Sequence, residues 1–448
     1  MKRTCFLSII FLCFTFFAFS QGTDWGNLSL QDALDHAAKN SPSVIIQRLK
    51  QRQQEEKLSQ TKLDNLPNFY ATADLRRNII IPATPIPANM IDPNAGDDEL
   101  MYMRFNTPWS SATGLNLNYD IFNPETFGLR AEQERQLAIS KIETEIAERD
   151  LLTNIEQAYM DAVIAQEQAE AVLADTLYYF DLFEKDKQLF ESEKISLADK
   201  NNTEMEYLAS VSRYLQAENI LHNAKADLLM LLGEQISGEK LRSLRFSEDI
   251  PALYSKMQGE TLQEISRNSL SERRQSELLY LSEQRIKNVS LKYLPTLSLL
   301  GYYGANYYGK DLQLSNTEKW FGNSYLALSL KIPITRSLST SKEISQLRTQ
   351  AQIEQENLRD MQNRKQNELA REAAQLEVHR KNYELKQANL ALIRQNVAAK
   401  ELQYEKGYIL NAELSAERLR YRNAFQEYLQ AAYDALSAQI ALRSTLEN

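Results

Sequence analysis

Acid–base, metal or nucleophilic chemistry needs imidazoles, thiols or carboxylates at fixed spacings, and this chain offers few such groupings. Its three histidines, His36, His222 and His379, lie far apart, and none belongs to a ligand spacing such as His-x-x-x-His. No glycine-rich phosphate loop and no serine or cysteine nucleophile motif occurs. Carboxylates are abundant, but they stand beside Lys and Arg at helical surface spacing, as in Glu184-Lys185-Asp186-Lys187. Solvated pairing on a helix surface accounts for them. The sequence therefore assigns no catalytic residue, no cofactor and no metal, and reads as a non-enzyme.

Both cysteines, Cys5 and Cys13, fall within the first twenty residues. There Lys2 and Arg3 precede an apolar run from Cys5 to Phe19, and Ala18-Phe19-Ser20 stands ahead of Gln21. This is the pattern of a secretory signal peptide over residues 1–20, and it is shorter than the ~20 apolar residues of a spanning helix. Its removal takes Lys2 and Arg3 as well, moving the formal net charge from -9 to -11. The mature chain is then predicted to carry no disulfide, no cysteine metal site and no lipid-bearing cysteine. An acidic exported chain is a poor match for nucleic acid.

The elements that position the remaining polar residues are long helices. From Leu129 to Leu232 there is neither glycine nor proline, although Pro124, Gly128 and Gly233 flank the stretch, and those are the residues that stop helices. Ile155, Ala158, Ala162, Ala165, Ala169 and Val172 recur at three- and four-residue steps, the seam of a coiled coil. A helix from Arg130 to Phe190 would be roughly 90 Å long, so the run must fold back once. The polar patch Glu191 to Asn202 marks the reversal, after which Leu208, Val211 and Leu215 open a new apolar face. After Pro333 the pattern returns, with Leu369, Ala373, Leu376, Tyr383, Leu390, Val397 and Tyr404 as its seam and Gly407 as the sole glycine.

Four short segments alternate apolar and polar residues, the weak signal of a membrane β-strand. They are Phe69 to Leu75, Thr113 to Ile121, Leu297 to Tyr307 and Tyr325 to Ile332. Taken singly, each reads as a strand of an ordinary soluble sheet. Their placement is more telling, because each half of the chain runs helix, strand, loop, strand, long helical hairpin. The halves open on Ser29-Leu30-Gln31-Asp32 and Thr261-Leu262-Gln263-Glu264, and enter their first strands at Leu66-Pro67 and Leu294-Pro295. The predicted division is a leader over 1–20, a first repeat over 21–232, a linker over 233–260 and a second repeat over 261–448. Residues Arg76 to Ser110 and Tyr308 to Gly322 are predicted as loops.

The order of elements, the Leu-Pro strand entries and the hairpin segment Tyr404-Glu-Lys-Gly407-Tyr-Ile-Leu-Asn-Ala-Glu413-Leu-Ser-Ala-Glu417 resemble the TolC-like outer-membrane efflux proteins. The resemblance covers nearly the whole mature chain. It implies a mainly α protomer with a small β part: four membrane strands given to a twelve-stranded barrel shared by a homotrimer, and long periplasmic coiled-coil hairpins. Elementary physics agrees with sharing, because four strands cannot close alone and open edges are not tolerated in lipid. Residues Leu30 to Lys39 and the linker are predicted to form a belt around the hairpins.

The family's tips carry a glycine, then Ser or Thr three residues later, Asp six later and, in the second repeat, another Asp nine later. Here the second tip keeps Gly407 and a carboxylate at Glu413, but has Leu410 and Ala416 at the other two positions. The first tip has Glu193 for the glycine and keeps Ser196 and Asp199. The resemblance implies a gate joining Tyr404 to Asp199, with Ile409 standing where the family has an arginine; three tips brought together would set Glu413 on one axis, and the alternative is that Asp199, Glu413 and Glu417 are solvated carboxylates of the helix surface. It implies adaptor contact at Ser196, Gly407 and Asn411. The function implied is a passive outer-membrane conduit working with a periplasmic adaptor and an inner-membrane transporter. Export of polypeptides fits the same architecture. A soluble periplasmic coiled-coil adaptor or spacer is the reading from a different class, but such adaptors carry glycine-rich half-motifs around one hairpin, and this chain has 13 glycines and two hairpins.

Overall fold

The computed structural model describes residues 25–93, 96, 98–259, 269–334, 337–406, 408–409 and 411–447. The predicted leader, the Thr261–Glu264 opening of the second half, and Gly407 and Leu410 lie outside them. The chain divides into two compact units. One draws on the described residues of Met1–Ile45, Glu148–Ile265 and Glu368–Glu447, the other on Ile46–Ala147 and Ser266–Asn367.

The helices follow the glycine and proline punctuation. Two helices, α1 (Leu30–Asn40) and α2 (Pro42–Leu63), replace the one predicted before the first strand. The break is chemical: Ser41 is extended (φ -65°, ψ 125°), as the residue before a proline tends to be, and Pro42 occupies the first helical position, where its missing N–H costs nothing. Helix α3 (Pro124–Glu191) has 68 residues, about 100 Å of helix. It turns at 192–196, within the predicted patch, into α4 (Leu197–Leu231). Along α3, Ile155 and Ala162 are fully buried, and Ala158, Ala165 and Ala169 nearly so. On the other arm of the hairpin α4 buries Thr203, Ser210 and Ala217, seven residues apart; the Thr203 hydroxyl donates to Asp186 at 2.6 Å and the Thr176 hydroxyl to the Ser210 carbonyl at 3.2 Å. These small residues let the two backbones approach. The predicted face of α4 is therefore displaced: Leu208 and Leu215 remain 59% and 58% exposed.

In the second half, α7 (Leu270–Ser290) precedes the strands, and α8 (Ser337–Glu405) turns into α9 (Asn411–Glu447). The seam of α8 runs through Leu369, Leu376, Tyr383, Leu390, Val397 and Tyr404 as predicted, but passes through Glu372 rather than the exposed Ala373. A second apolar row on α8, Val378, Leu385 and Leu392, repeats every seven residues and is more than 60% exposed.

The long strands are β1 (Asn68–Arg77), β4 (Trp109–Phe122), β5 (Thr296–Gly309) and β6 (Trp320–Lys331), antiparallel in the order β1-β4-β5-β6. The segment predicted as the first loop contains a small hairpin, β2 (Thr84–Pro87) with β3 (Leu100–Met103). Pro85 and Pro87 sit in this two-stranded ribbon, which tolerates a missing donor. Cross-strand register sorts the large sheet into two faces. Phe69, Leu117, Gly301 and Leu326 share one face, as do Leu299 with Leu328 and Leu297 with Leu330. Asn116, Asn118, Asp120, Ser298 and Ser329 share the other. The apolar face is bare: Phe69, Leu326 and Leu328 are 73%, 72% and 68% exposed. Within the chain β1 and β6 each pair on one side only. Among the described residues no helix is long and apolar enough to cross a membrane.

The linker contains α5 (Gly238–Ser243) and α6 (Ile250–Gly259). A bridge between Leu28 and Phe246 ties the start of the described chain to it. Leu28, Ala33, Phe246, Ile250 and Leu253 pack with Ile155 and Tyr159 of α3, Leu228 of α4, Tyr383 of α8 and Leu436 of α9 in one buried cluster. Residues of Leu30–Lys39 and of the linker thus pack directly against the long helices. Tyr159 donates to the Leu28 carbonyl at 2.9 Å and also meets Glu248. Burial and the Glu248 carboxylate push its phenol above the usual range.

Candidate functional site

The candidate residues sit at helix ends, and each end is shaped by its own backbone chemistry. Helix α3 closes with the Lys194 N–H on the Leu189 carbonyl at 2.9 Å and the Glu193 N–H on Phe190 at 2.9 Å. Between them Glu193 adopts φ 60°. A left-handed residue followed by this bond is how helices commonly stop, and glycine is the usual occupant. Glutamate pays a steric cost there. Helix α4 stops the same way, with Glu234 N–H on Leu229 at 2.9 Å. There the left-handed residue is Gly233, φ 76°, and a Cβ on it would come within 2.5 Å of the Asn40 carbonyl oxygen. Helix α8 repeats the closing bond with the Tyr408 N–H on Gln403 at 2.9 Å.

Helix α4 starts on a capping box. The Ser196 hydroxyl donates to Asp199 Oδ2 at 2.7 Å, the Asp199 N–H returns to Ser196 Oγ at 3.2 Å, and the Ser196 N–H reaches the same Oδ2 at 3.3 Å. The arrangement satisfies two donors the helix start leaves open. Ser196 and Asp199 are thus brought together, by a spacing the capping-box rule recognises in Ser-Leu-Ala-Asp. Asn411 begins α9, with Ser415 donating to its Oδ1 at 3.4 Å.

Tyr404, near the end of α8, lies instead beside α3. The Lys185 ammonium is 5.5 Å from its ring centroid, and burial, then the nearby Asp186, raises its phenol pKa. Glu413 pairs with Lys400 across the second hairpin at 3.4 Å and stays mostly exposed. Within one chain, among the described residues, Tyr404, Asp199 and Glu413 make no bond to one another.

A charged centre that sequence reading missed lies further along the same helices. Asp175 of α3 faces three arginines: Arg422 at 3.3 Å, Arg418 at 3.6 Å and Arg213 of α4 at 3.8 Å. Arg418 also binds Glu401 of α8 and stacks over Tyr178, 3.1 Å from the ring centroid. Burial pushes the Tyr178 phenol up to about 12, against the opposing pull of Arg418. One carboxylate thereby links α3, α4 and α9, and Arg418 carries the link to α8. The signal was the pair Arg418 and Arg422, four apart on one helix face, but their partner is hundreds of residues away. Above it a cleft of about 310 Å³ is lined by Tyr178, Asp181, Lys185, Glu401, Tyr404 and Arg418. Among the described residues no cluster of His, Cys, Asp or Glu could hold a metal ion.

No family model matches the chain. Outer membrane protein TolC of Vibrio cholerae is 20% identical over 254 residues, a match spanning 54% of this chain and 56% of that protein, about half the relative's length. The CmeC outer membrane channel of Campylobacter jejuni superposes with TM-score 0.71 at 15% identity, covering 95% of this chain and 87% of that one. The outer membrane protein VceC of Vibrio cholerae superposes with TM-score 0.66 at 13% identity, covering 94% and 96%. The fold is TolC-like. Against the TolC-like tip pattern the departures are local. Glu193 takes a left-handed conformation where that pattern has glycine, and an ion pair across the second hairpin joins Lys400 to Glu413.

Proposed function

We propose that this chain is the protomer of an outer-membrane channel, a passive conduit that carries cargo from the periplasm to the exterior. One observation carries the reading: a four-stranded sheet, apolar on one face and polar on the other, bare on its apolar face and unpaired along both outer edges. In water such edges and such a face invite aggregation. In lipid they are stable when further copies continue the sheet until it closes. Three copies give twelve strands with the apolar face toward lipid. The exposed rows Val378, Leu385, Leu392 on α8 and Leu208, Leu215 on α4 supply seams for neighbouring copies.

In this reading the hairpins extend into the periplasm, where Ser196, Gly407 and Asn411 meet an adaptor that couples the conduit to an inner-membrane transporter. The chain divides into repeats over 21–232 and 261–448, joined by the linker 233–260. The gate forms between copies: Asp199 spends Oδ2 on its own cap, leaving Oδ1 for the Tyr404 hydroxyl of a neighbour. A soluble adaptor or spacer would have no use for the bare apolar sheet.

Membrane fractionation, detergent extraction and light scattering test the proposal. The expected result is a protein that leaves the outer membrane only with detergent, has three times the mass of one chain, and conducts ions in a planar bilayer. A monomer released by salt or alkaline wash would refute it.

A further inference from the structure

On the polar face of the sheet one row gathers three tyrosines; rings recur only two rows away, at Phe321 opposite Asn306, and then at Tyr308 opposite Ser110. In register, Tyr70 stands opposite Asn116, Asn116 opposite Tyr302, and Tyr302 opposite Tyr325. One row across all four strands therefore reads Tyr-Asn-Tyr-Tyr. The rows on either side are Thr72, Gly114, Gly304, Asn323 and Asn68, Asn118, Leu300, Ala327, which present no ring.

The row is built, not incidental. Tyr302 and Tyr325 stack with centroids 5.9 Å apart and planes 23° apart. Tyr302 lies flat over two glycines: a Cβ on Gly114 would come within 2.8 Å of its ring, and one on Gly304 within 2.6 Å of its hydroxyl. Both glycines are needed for the ring to lie along the wall. The buried Tyr302 hydroxyl has no hydrogen-bond partner among the described residues, while Tyr70 and Tyr325 are 47% and 56% exposed. A ring that only covered glycine would not need these two exposed neighbours.

Charge on the same face selects the visitor. Asp74 lies four residues along β1 from Tyr70, and Asp120 four along β4 from Asn116 in the opposite sense of travel across the face, each about 13 Å away. Asp120 is oriented by the Ser298 hydroxyl at 2.7 Å. The cations of the face, Arg76 and Lys331, are six residues away along their strands. Tyrosine faces attract cations and stack on flat π-systems.

We propose that this tyrosine row is a transit site for flat aromatic cations, which it retains by stacking between two levels of carboxylate. The proposal rests on the channel reading above, with the polar face inward. Three copies would place nine tyrosines at one level of the lumen.

The test is block of single-channel current by ethidium, with tetraethylammonium as the non-aromatic cation, on the intact channel in a planar bilayer. Ethidium is expected to block at concentrations at least about tenfold below tetraethylammonium, and the double change Tyr302→Leu with Tyr325→Leu is expected to raise the ethidium half-blocking concentration about tenfold, with the open-channel current retained. Equal block of the wild-type channel by both cations overturns the proposal, whether or not the variant assembles. So does unchanged ethidium block in a conducting variant. A wild-type protein that forms no channel would defeat the channel reading itself, and this proposal with it.

Discussion

Leu228 and Leu328 are the same residue in two regions that use it oppositely. Leu228 sits in the cluster of α3, α4, α6, α8 and α9, with none of its surface left to solvent, whereas Leu328 of β6 is 68% exposed. In the cluster, water is displaced by other parts of the same chain, and the gain of roughly 25 cal/mol per Å² is realised on folding. On the sheet the neighbours of Leu328 are leucines that point the same way, so the chain alone cannot dry them. The proposed channel assigns this bare apolar face to lipid, which would dry it where the chain does not.

Truncation breaks the comparison most directly. Leu228→Ala should cost about 2 to 5 kcal/mol, through lost transfer energy and the cavity left behind. Leu328→Ala should cost less than half as much, since the site holds no packed cavity. Denaturant midpoints of the detergent-solubilised protein measure both, and equal shifts would erase the distinction. A charge reverses the sensitivities. Leu117→Arg places a cation on the apolar face, where a mid-bilayer arginine costs about 2 to 4 kcal/mol, and should lower the yield of assembled oligomer. Asn118→Arg, on the polar face, should be milder. Equal losses in a heat-resistant gel-shift assay would contradict the assignment of faces.

Lys225 probes how dry the packed region is. It is 3% exposed, on the helix face that also carries Leu228, and its ammonium donates to the Leu241 carbonyl at 3.2 Å. Burial first, then Arg245, lowers its pKa from 10.5 to about 8. The unfolded chain therefore binds the extra proton between these values, so stability rises as pH climbs from about 8 to 10.5 and is lost again as it falls. The rise should be of the order of 3 kcal/mol. Lys225→Met should abolish it in unfolding curves taken across that window; a slope that persists in the variant would assign it elsewhere.

Smaller effects belong to the tips. Glu193→Gly should stabilise the protein by about 1 kcal/mol, by relieving the left-handed strain at φ 60°, and a fall in unfolding midpoint would contradict that. Tyr404→Phe should raise single-channel conductance slightly, with Glu413→Gln changing mainly cation preference. Unchanged recordings would return both residues to plain helix-surface roles.

Much of this was legible in sequence because it depends on local rules. The glycine-free run from Leu129 to Leu232 dictated a long helix, and the reversal fell where polar residues replaced the seam. Alternation at Leu115, Leu117 and Tyr119 gave both the strand and its faces. What escaped depends on partners distant in sequence. Asp175 was one carboxylate among many until folding brought Arg213, Arg418 and Arg422 to it. The row Tyr70, Asn116, Tyr302, Tyr325 exists only through register, which alternation leaves undetermined. Ser196 and Asp199 were read as tip residues through a family pattern, although three-residue spacing ahead of a helix already spells a cap.

The most direct test uses the absence of cysteine beyond Cys13. Single cysteines at Leu328 and Ser329, adjacent residues on opposite faces of β6, are to be exposed in outer-membrane vesicles to a membrane-impermeant maleimide. The account predicts that Ser329→Cys reacts from the aqueous lumen and that Leu328→Cys, facing lipid, does not until detergent strips the bilayer. Equal labelling of the two in intact membranes would contradict it.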